Sequence, residues 1–202
     1  MTRNVDTRFP KNVILIYVEG ASEKTYLSKL KERGTNAEII VRESKRKNAV
    51  QMVELCVKEM KDLNMDAEEG DAAYCVFDVD ENERRQMEQA HSEAMKNKVT
   101  MIVSHPFLEV WFLMHFREAP NHSIPKESII QELGRSIGNY RKGDDVWKKL
   151  FVHKEKAIKM ARSIASKNSL ETPLDFYDKN FSTNMHILFD DIEKRKKHDP
   201  DQ

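Results

Sequence analysis

The chain has 202 residues, with 34 Lys and Arg against 34 Asp and Glu, so its formal net charge is zero. This length suits one domain, or one domain with a small appendage. The neutral balance excludes a global attraction to nucleic acid, so any surface that binds nucleic acid must be local.

Cysteine usage and hydropathy indicate the compartment. Cys56 and Cys75 are predicted to be buried and reduced, because no CxxC pair and no Cys/His spacing typical of zinc surrounds them. The first ten residues are polar and carry no apolar signal-peptide segment. No apolar run is long enough to cross a bilayer. We therefore expect a cytoplasmic protein without a membrane partner.

The first half of the chain alternates apolar runs with helical periodicity. The runs rich in β-branched residues predict four strands, at residues 13–18, 37–41, 73–79 and 99–103. Helices are predicted between them, and a further helix at residues 107–116 begins next to Pro106. This alternation is typical of βαβ units with right-handed crossovers. We predict an α/β, Rossmann-like domain at residues 1–118, with a parallel sheet of about four strands flanked by helices.

The second half has helical periodicity and no convincing strand. Helices are predicted at residues 126–135, 145–150, 154–166 and 185–196. The glycine-containing segment 136–144 is expected to be an exposed loop, and the polar stretch around Pro173 another. We expect residues 119–202 to form a helical extension that packs on the α/β domain to make one compact unit.

Three carboxylates follow two of the buried strands. Glu19 comes directly after the first strand, and Asp78 and Asp80 close the third. Ligands of parallel sheets bind outside the carboxyl ends of the strands, so chemistry is expected at this edge. In an extended chain Asp78 and Asp80 point the same way, while Val79 packs on the opposite side. If the first and third strands are neighbours, Glu19 meets both aspartates.

A divalent cation would balance the charge of this acidic trio. Converging carboxylates repel each other, and burying them without a partner costs several kcal/mol. Ligands that are all oxygen favour a hard ion, so Mg²⁺ or Mn²⁺ is the predicted cofactor. The alternative is that these acids cap helices or lie in solvated turns, as acids at strand ends often do.

Three further side chains are candidates at the same edge. Glu23 lies one helical turn beyond Glu19, either as another metal ligand or as a first-turn acid favoured by the helix dipole. Glu109 lies among bulky apolar residues and needs a metal or a cation as a partner. His105 follows the fourth strand, where it is a candidate for proton transfer or phosphate binding, or else a packing histidine.

The predicted loop of the second half carries candidate substrate contacts. Tyr140, Arg141 and Lys142 lie between glycines and combine an aromatic ring with positive charge. This combination is typical of contacts to phosphates and bases. The alternative is an ordinary solvated loop.

These segments resemble a known family. Residues 18–20, Val-Glu-Gly, with Ser22 and Glu23, and then residues 78–80, Asp-Val-Asp, resemble the Toprim domain of primases, topoisomerases and OLD-type nucleases. Other segments resemble the RloB family, whose bacterial and archaeal members are found with restriction and abortive phage-defence genes. They are residues 104–112, 115–116, 139–142 and 182–186.

The resemblance implies a Toprim-like fold and metal-dependent cleavage of phosphodiester bonds in nucleic acid, as part of anti-phage defence. In Toprim enzymes the acidic cluster holds Mg²⁺, and the glutamate is also discussed as a general acid or base. Those roles would pass to Glu19, Asp78 and Asp80. Ala21 and Phe181 depart from the family pattern, and neither belongs to the acidic trio.

Three hypotheses follow for the function. The first is a nuclease that depends on Mg²⁺ or Mn²⁺ and acts on RNA or DNA. The second is a module without catalysis, which binds a nucleic acid or nucleotide or docks on an AAA-type ATPase partner. The third pairs the carboxylates with lysines and has no metal. The sequence is compatible with a homo-oligomer and does not choose between RNA and DNA.

Overall fold

Five strands form the sheet of this protein, in a computed structural model that describes residues 12–32, 37–45, 48–118 and 125–195. The strands are β1 (Asn12–Val18), β2 (Ala37–Glu43), β3 (Ala72–Asp78), β4 (Val99–His105) and β5 (Ser182–Thr183). The predicted end of the last helix at Lys196 and the predicted start of the extension at residue 119 lie outside the described residues.

Helices follow the strands along the chain. They are α1 (Ala21–Ser28), α2 (Ala49–Asp62), α3 (Arg84–Lys96), α4 (Glu109–Met114), α5 (Lys126–Ile137), α6 (Trp147–Phe151), α7 (Lys154–Lys167), α8 (Pro173–Asp178) and α9 (Met185–Lys194). Within the described part of the chain, no helix has the length and apolar character needed to cross a membrane.

The strand order is β2-β1-β3-β4-β5, in which the first four strands are parallel and β5 runs antiparallel to β4. The predicted α/β, Rossmann-like class is therefore confirmed, with one short strand more than expected. From β1 the chain crosses outward to β2, and from β3 it crosses in the other direction to β4. The order reverses between β1 and β3, and such a switch point opens a crevice at the carboxyl ends of its strands.

Both faces of the sheet are buried, which is why the strands read as continuous apolar runs. Alternate residues of β1 enter two separate cores: Ile14 and Ile16 face one, and Leu15 and Tyr17 face the other. Apolar residues of α1, α4, α5, α6, α7 and α9 complete the first core. Those of α2, α3 and α8 complete the second. The fold is thus a sheet between two helical layers.

The sequence interpretation was wrong at two places after the strands. Residues Val79–Glu81 form a turn of 3₁₀ helix instead of extending β3. The helix predicted to begin beside Pro106 begins at Glu109, so the proline is not its first residue.

In the second half, the sequence interpretation missed β5 and α8. The stretch around Pro173, predicted to be a loop, is α8. Thr172 caps this helix: its side-chain oxygen accepts a hydrogen bond from the backbone N–H of Asp175, and the Asp175 carboxylate accepts one from the backbone N–H of Thr172. A strand of two residues is too short to show the alternation that predicts a strand, so β5 could not be recognised in the sequence. It matters nevertheless, because it pairs with the end of β4 at Ser104 and His105.

Asn184 fastens the second half to the edge of the sheet. Its side-chain oxygen accepts from the backbone N–H of Val103 at 2.6 Å, and its amide nitrogen donates to the carbonyl of Met101 at 2.9 Å. The hydroxyls of Ser104 and Thr183 lie 2.9 Å apart, also buried. These contacts satisfy backbone groups that β4 would otherwise leave unpaired inside the protein.

Candidate functional site

Glu19 and Asp78 meet at the switch point of the sheet. Val18, the last residue of β1, pairs with Val76 of β3, so Glu19 lies beside the end of β3. Its Oε2 accepts a hydrogen bond from the backbone N–H of Asp78 at 2.8 Å. The structure therefore brings together the two acids that the sequence placed after different strands.

Asn82 is a part of this site that the sequence analysis did not identify. Its Nδ2 donates to Glu19 Oε1 at 2.7 Å and to the carbonyl oxygen of Asp78 at 2.9 Å. The residue is 6% exposed, and its Oδ1 has no partner among the described residues. Asn82 holds the Glu19 carboxylate against the end of β3. The signal in the sequence that could have identified Asn82 is its position, since it is a polar residue two positions after Asp80.

Asp78 and Asp80 do not lie side by side. Asp78 is 4% exposed, and its Oδ1 accepts from the backbone N–H of Leu108 at 2.9 Å. Asp80 lies at the surface and forms an ion pair with Lys126. The expectation that both aspartates point the same way was wrong, because the 3₁₀ turn rotates Asp80 away from the direction of Asp78.

Glu23 is buried in the first turn of α1. Burial raises the pKa of its carboxyl group, and the nearby backbone of Glu23 itself and of Gly20 opposes the shift. A Cβ at position 20 would lie 2.7 Å from Glu23 Oε2, so any other residue at this position would displace the Glu23 carboxylate. Glu23 thus lies in the first turn of α1, where the helix dipole favours an acid, and it also borders the crevice.

Glu19, Glu23 and Asp78 line a cavity of about 220 Å³ at the carboxyl edge of the sheet. Its lining residues come from the β1–α1 turn, the end of β3 and one loop of the second half: Glu19, Gly20, Ala21, Ser22, Glu23, Asp78, Glu81 and Lys142. The cavity lies where the strand order reverses, which is the expected ligand position in an open α/β sheet.

Glu109 does not line the cavity and bonds to the loop of the second half. It is 1% exposed, and its Oε1 accepts a hydrogen bond from the hydroxyl of Tyr140 at 2.8 Å. Tyr140 is also buried, with its ring edge-on to Phe112, so the expectation of an exposed loop was wrong at this residue. The hydrogen-bond partner of this buried carboxylate is thus a phenol, and Lys142 adds a nearby positive charge.

The remaining candidates lie at different distances from the carboxylates. Lys142 lines the cavity, whereas Arg141 is exposed and its backbone N–H donates to Asp144 at 2.8 Å. His105 is half-buried at the end of β4 and donates from Nδ1 to the carbonyl of Tyr177. Burial lowers the pKa of His105, which therefore favours the neutral imidazole.

Burial and mutual repulsion make the acids reluctant to ionise. Burial raises the pKa of Glu19 to about 7, although hydrogen bonds from Asn82 and Asp78 oppose the shift. Burial raises the pKa of Asp78 well above its usual range, and the charges of Glu23 and Glu19 add to the effect. Burial also raises the pKa of Glu23. Among the described residues that line the cavity, Lys142 is the one basic side chain, and it does not offset the effects of burial and repulsion on these acids.

The donor chemistry fits a hard divalent ion, but the side chains are not arranged around one. Among the described residues, no three His, Cys, Asp or Glu side chains are grouped to hold a metal. Both oxygens of Glu19 and one of Asp78 already accept hydrogen bonds from N–H groups. An ion would have to replace some of these donors. The unpartnered Asn82 Oδ1 is a further oxygen donor of the kind that hard ions bind.

Comparison with known proteins adds one positive finding. The family model for RloB-like proteins matches residues 14–192 of the chain. No curated protein and no solved structure gives a significant match. The matched residues include both strands of the switch point, the cavity and β5. The chain therefore belongs to the RloB-like protein family.

Proposed function

We propose that this protein is a nuclease of anti-phage defence that depends on Mg²⁺ or Mn²⁺ and hydrolyses phosphodiester bonds in RNA or DNA. The observation that carries the proposal is the convergence of Glu19, Glu23 and Asp78 on one cavity at the switch point of the sheet. The resemblance to Toprim enzymes supports the proposal, because it implies phosphodiester chemistry at Glu19 and Asp78.

Glu19, Glu23 and Asp78 would hold the ion, with Asn82 keeping Glu19 in place. Such an ion, when bound, polarises a phosphate oxygen and activates water. Asp80 is a less favourable ligand than the sequence suggested, because it is bound to Lys126 at the surface. Glu109 would act through Tyr140, since its carboxylate does not line the cavity.

The positive side chains around the cavity would position the substrate. Lys142 lines the cavity and Lys126 lies beside Asp80, so both are suited to bind phosphate groups. His105 interacts electrostatically with Asp80 and Lys126, and its lowered pKa suits a neutral base near pH 7. These contacts are local, in agreement with the neutral overall charge.

A second candidate function is a binding module without catalysis, acting on a nucleotide or docking on an ATPase partner. The observation that favours it is the ion pair of Lys126 with Asp80, together with Lys142 at the cavity. These lysines neutralise part of the acidic charge without a metal. The two functions differ in whether phosphodiester bonds are broken.

The test compares wild type with Glu19→Gln and Asp78→Asn on labelled single-stranded and double-stranded RNA and DNA. Cleavage that requires Mn²⁺ or Mg²⁺ and is lost in both variants is the expected result. The matched control is Glu68→Gln, an exposed carboxylate that pairs with Lys98 at the opposite edge of the sheet. Cleavage equal in all four proteins would assign the activity to a contaminant. Binding of nucleic acid without cleavage would favour the second candidate.

A further inference from the structure

The sheet ends at β2, on the side away from β5. Among the described residues, β2 pairs with β1 on one side and has no strand on its other side. Within that part of the chain, the backbone groups of residues 38–42 form hydrogen bonds only with β1. A strand with one neighbour directs the rest of its N–H and C=O groups away from the sheet, as a row of donors and acceptors.

The side chains of β2 alternate between the two faces of the sheet. Ile39 and Val41 face the first core and are buried. On the other face, Ile40 packs against the second core and is partly buried. Its neighbours on that face are an exposed acid and an exposed base, Glu38 and Arg42. The two charges thus stand two residues before and two residues after Ile40.

This spacing makes β2 complementary to a copy of itself. In an antiparallel pair centred on Ile40, Glu38 of each copy lies directly opposite Arg42 of the other. Opposed side chains have Cβ atoms about 4.5–5.5 Å apart, where opposite charges stabilise the pair and like charges destabilise it. A two-fold register centred on Ile39 or Val41 instead places one of the charged residues opposite Ile40. The charges therefore favour a single register.

Both charged residues are available to a second copy. Glu38 forms no ion pair within the described part of the chain. Arg42 donates from Nε to Glu59 Oε1 at 2.8 Å, and its side chain remains 51% exposed. That bond leaves the terminal nitrogens of the guanidinium group for another carboxylate. Glu59 is itself fixed by the hydroxyl of Tyr17, so it holds Arg42 in position.

We propose that two copies of this chain associate through β2, antiparallel and centred on Ile40, so that their sheets join into one. Backbone hydrogen bonds between the two β2 strands and two ion pairs between Glu38 and Arg42 hold the dimer together. Because the joined strands are antiparallel, the two cavities open at opposite edges of the joined sheet. The inference does not depend on the proposed nuclease activity.

The test exploits the fact that both ion pairs use the same two positions. Sedimentation equilibrium over a range of protein concentrations compares wild type, Glu38→Arg, Arg42→Glu and the variant with both substitutions. We expect wild type to dimerise and each single substitution to raise the dimer Kd at least about tenfold, since it sets like charges opposite each other. The variant with both substitutions should dimerise like wild type, because the charges are exchanged and still complementary.

A mixture of the two single variants is the sharpest sample. Glu38→Arg chains carry two positive charges on β2 and Arg42→Glu chains carry two negative ones, so they should pair with each other. The mixture also checks folding, because Arg42→Glu loses its bond to Glu59 and an unfolded chain could not pair. The matched controls are Glu68→Arg and Lys98→Glu, which reverse the two charges of an exposed ion pair away from β2. Both should dimerise like wild type.

A disulfide tests the register directly. In the proposed dimer Ile40 lies opposite its own copy, at a Cα separation of about 4.5–5.5 Å that a disulfide can span. Ile40→Cys should therefore cross-link into dimers on mild oxidation. The native thiols, Cys56 and Cys75, are buried. Glu38→Cys is the control, since its two copies would lie four residues apart along the strands, about 13 Å, and should not cross-link.

Three results would overturn the proposal. The first is a wild-type protein that stays monomeric at every concentration. The second is a dimer that neither charge reversal weakens and that Ile40→Cys does not cross-link, which would place the contact on another surface. The third is a mixture of Glu38→Arg and Arg42→Glu that contains monomers alone.

Discussion

The Glu19 carboxylate and the backbone N–H of Asp78 are joined by a hydrogen bond of 2.8 Å across the switch point of the sheet. Glu19 follows one strand and Asp78 ends its neighbour, so the bond fixes the two turns relative to each other. A substitution at either residue is therefore expected to affect the ends of both strands.

Asn82→Ala should weaken metal binding at the site. The substitution removes the donor to Glu19 Oε1 and to the Asp78 carbonyl, so Glu19 keeps only the hydrogen bond from the backbone N–H of Asp78. We expect Mn²⁺ affinity to fall about tenfold or more, as is typical when a group that orients a ligand is lost. We also expect a stability loss of about 1–3 kcal/mol. Calorimetry and urea denaturation measure the two effects.

The matched control for that prediction is Asn97→Ala. Asn97 also donates from Nδ2 to a glutamate side chain and a backbone carbonyl, both of Glu93, at the end of α3. It should lose some stability and keep wild-type Mn²⁺ affinity. Equal Mn²⁺ affinities for Asn82→Ala and wild type would contradict the role assigned to Asn82.

Glu19→Gln should change how stability depends on pH in metal-free buffer. The pKa of Glu19 is about 7 in the fold against 4.5 for an unperturbed glutamate, because burial disfavours the charged form. Between these values the folded state holds more protons than the unfolded state, so the free energy of unfolding decreases as pH rises. The shift corresponds to at most about 3 kcal/mol.

Urea denaturation in chelator at about pH 5 and about pH 8 checks this pH dependence. Relative to wild type, Glu19→Gln should be more stable at the higher pH than at the lower one, because glutamine cannot ionise. Glu68→Gln, whose carboxylate is exposed, should follow wild type at both pH values. Parallel behaviour of Glu19→Gln and wild type would show that Glu19 does not titrate in this window.

Apolar patterning was sufficient for the fold class but not for the site geometry. Each of β1, β3 and β4 is buried on both faces, and this produces a continuous apolar run that identifies a parallel strand. The position of Glu19 and Asp78 at one edge followed from that reading. The direction of Asp80 did not, because it depends on a 3₁₀ turn whose residues have no distinctive pattern.

The sequence interpretation missed helix α8 and the burial of Tyr140 for two different reasons. The capping residues Thr172 and Asp175 were visible in the sequence, so α8 could have been predicted from their spacing. Burial of Tyr140 could not, because its hydroxyl bonds to Glu109, which is 31 positions away in the chain. Long-range polar contacts of this kind leave no local signal.

Tyr140→Phe should destabilise the protein by about 1–3 kcal/mol, because it leaves the buried Glu109 carboxylate without its donor. The control Tyr74→Phe loses a similar hydroxyl bond, to Asp191, but Asp191 keeps its bond with Arg195. We expect the control to lose less stability. Urea denaturation measures both variants. A larger loss for Tyr74→Phe would contradict the importance given to the Glu109 contact.

Asn184→Ala should be among the costly single substitutions in the second half. It leaves the N–H of Val103 and the carbonyl of Met101 without partners inside the protein, at a cost of roughly 2–5 kcal/mol. Asn168→Ala is the control, since Asn168 donates to one carbonyl, that of Ile164, at a helix end. Urea denaturation should show a clearly smaller loss for Asn168→Ala, and equal losses would contradict the role of Asn184.

The short strand β5 has a consequence for how separate molecules of this protein behave. An exposed edge strand is a template on which another chain can add by backbone pairing, and β4 has the apolar, β-branched composition that favours such addition. Ser182 and Thr183 cover the end of that edge at Ser104 and His105, and the Asn184 side chain bonds to the backbone of β4 beyond them. We expect a chain shortened before residue 182 to self-associate through β4, so the last segment protects the protein against aggregation.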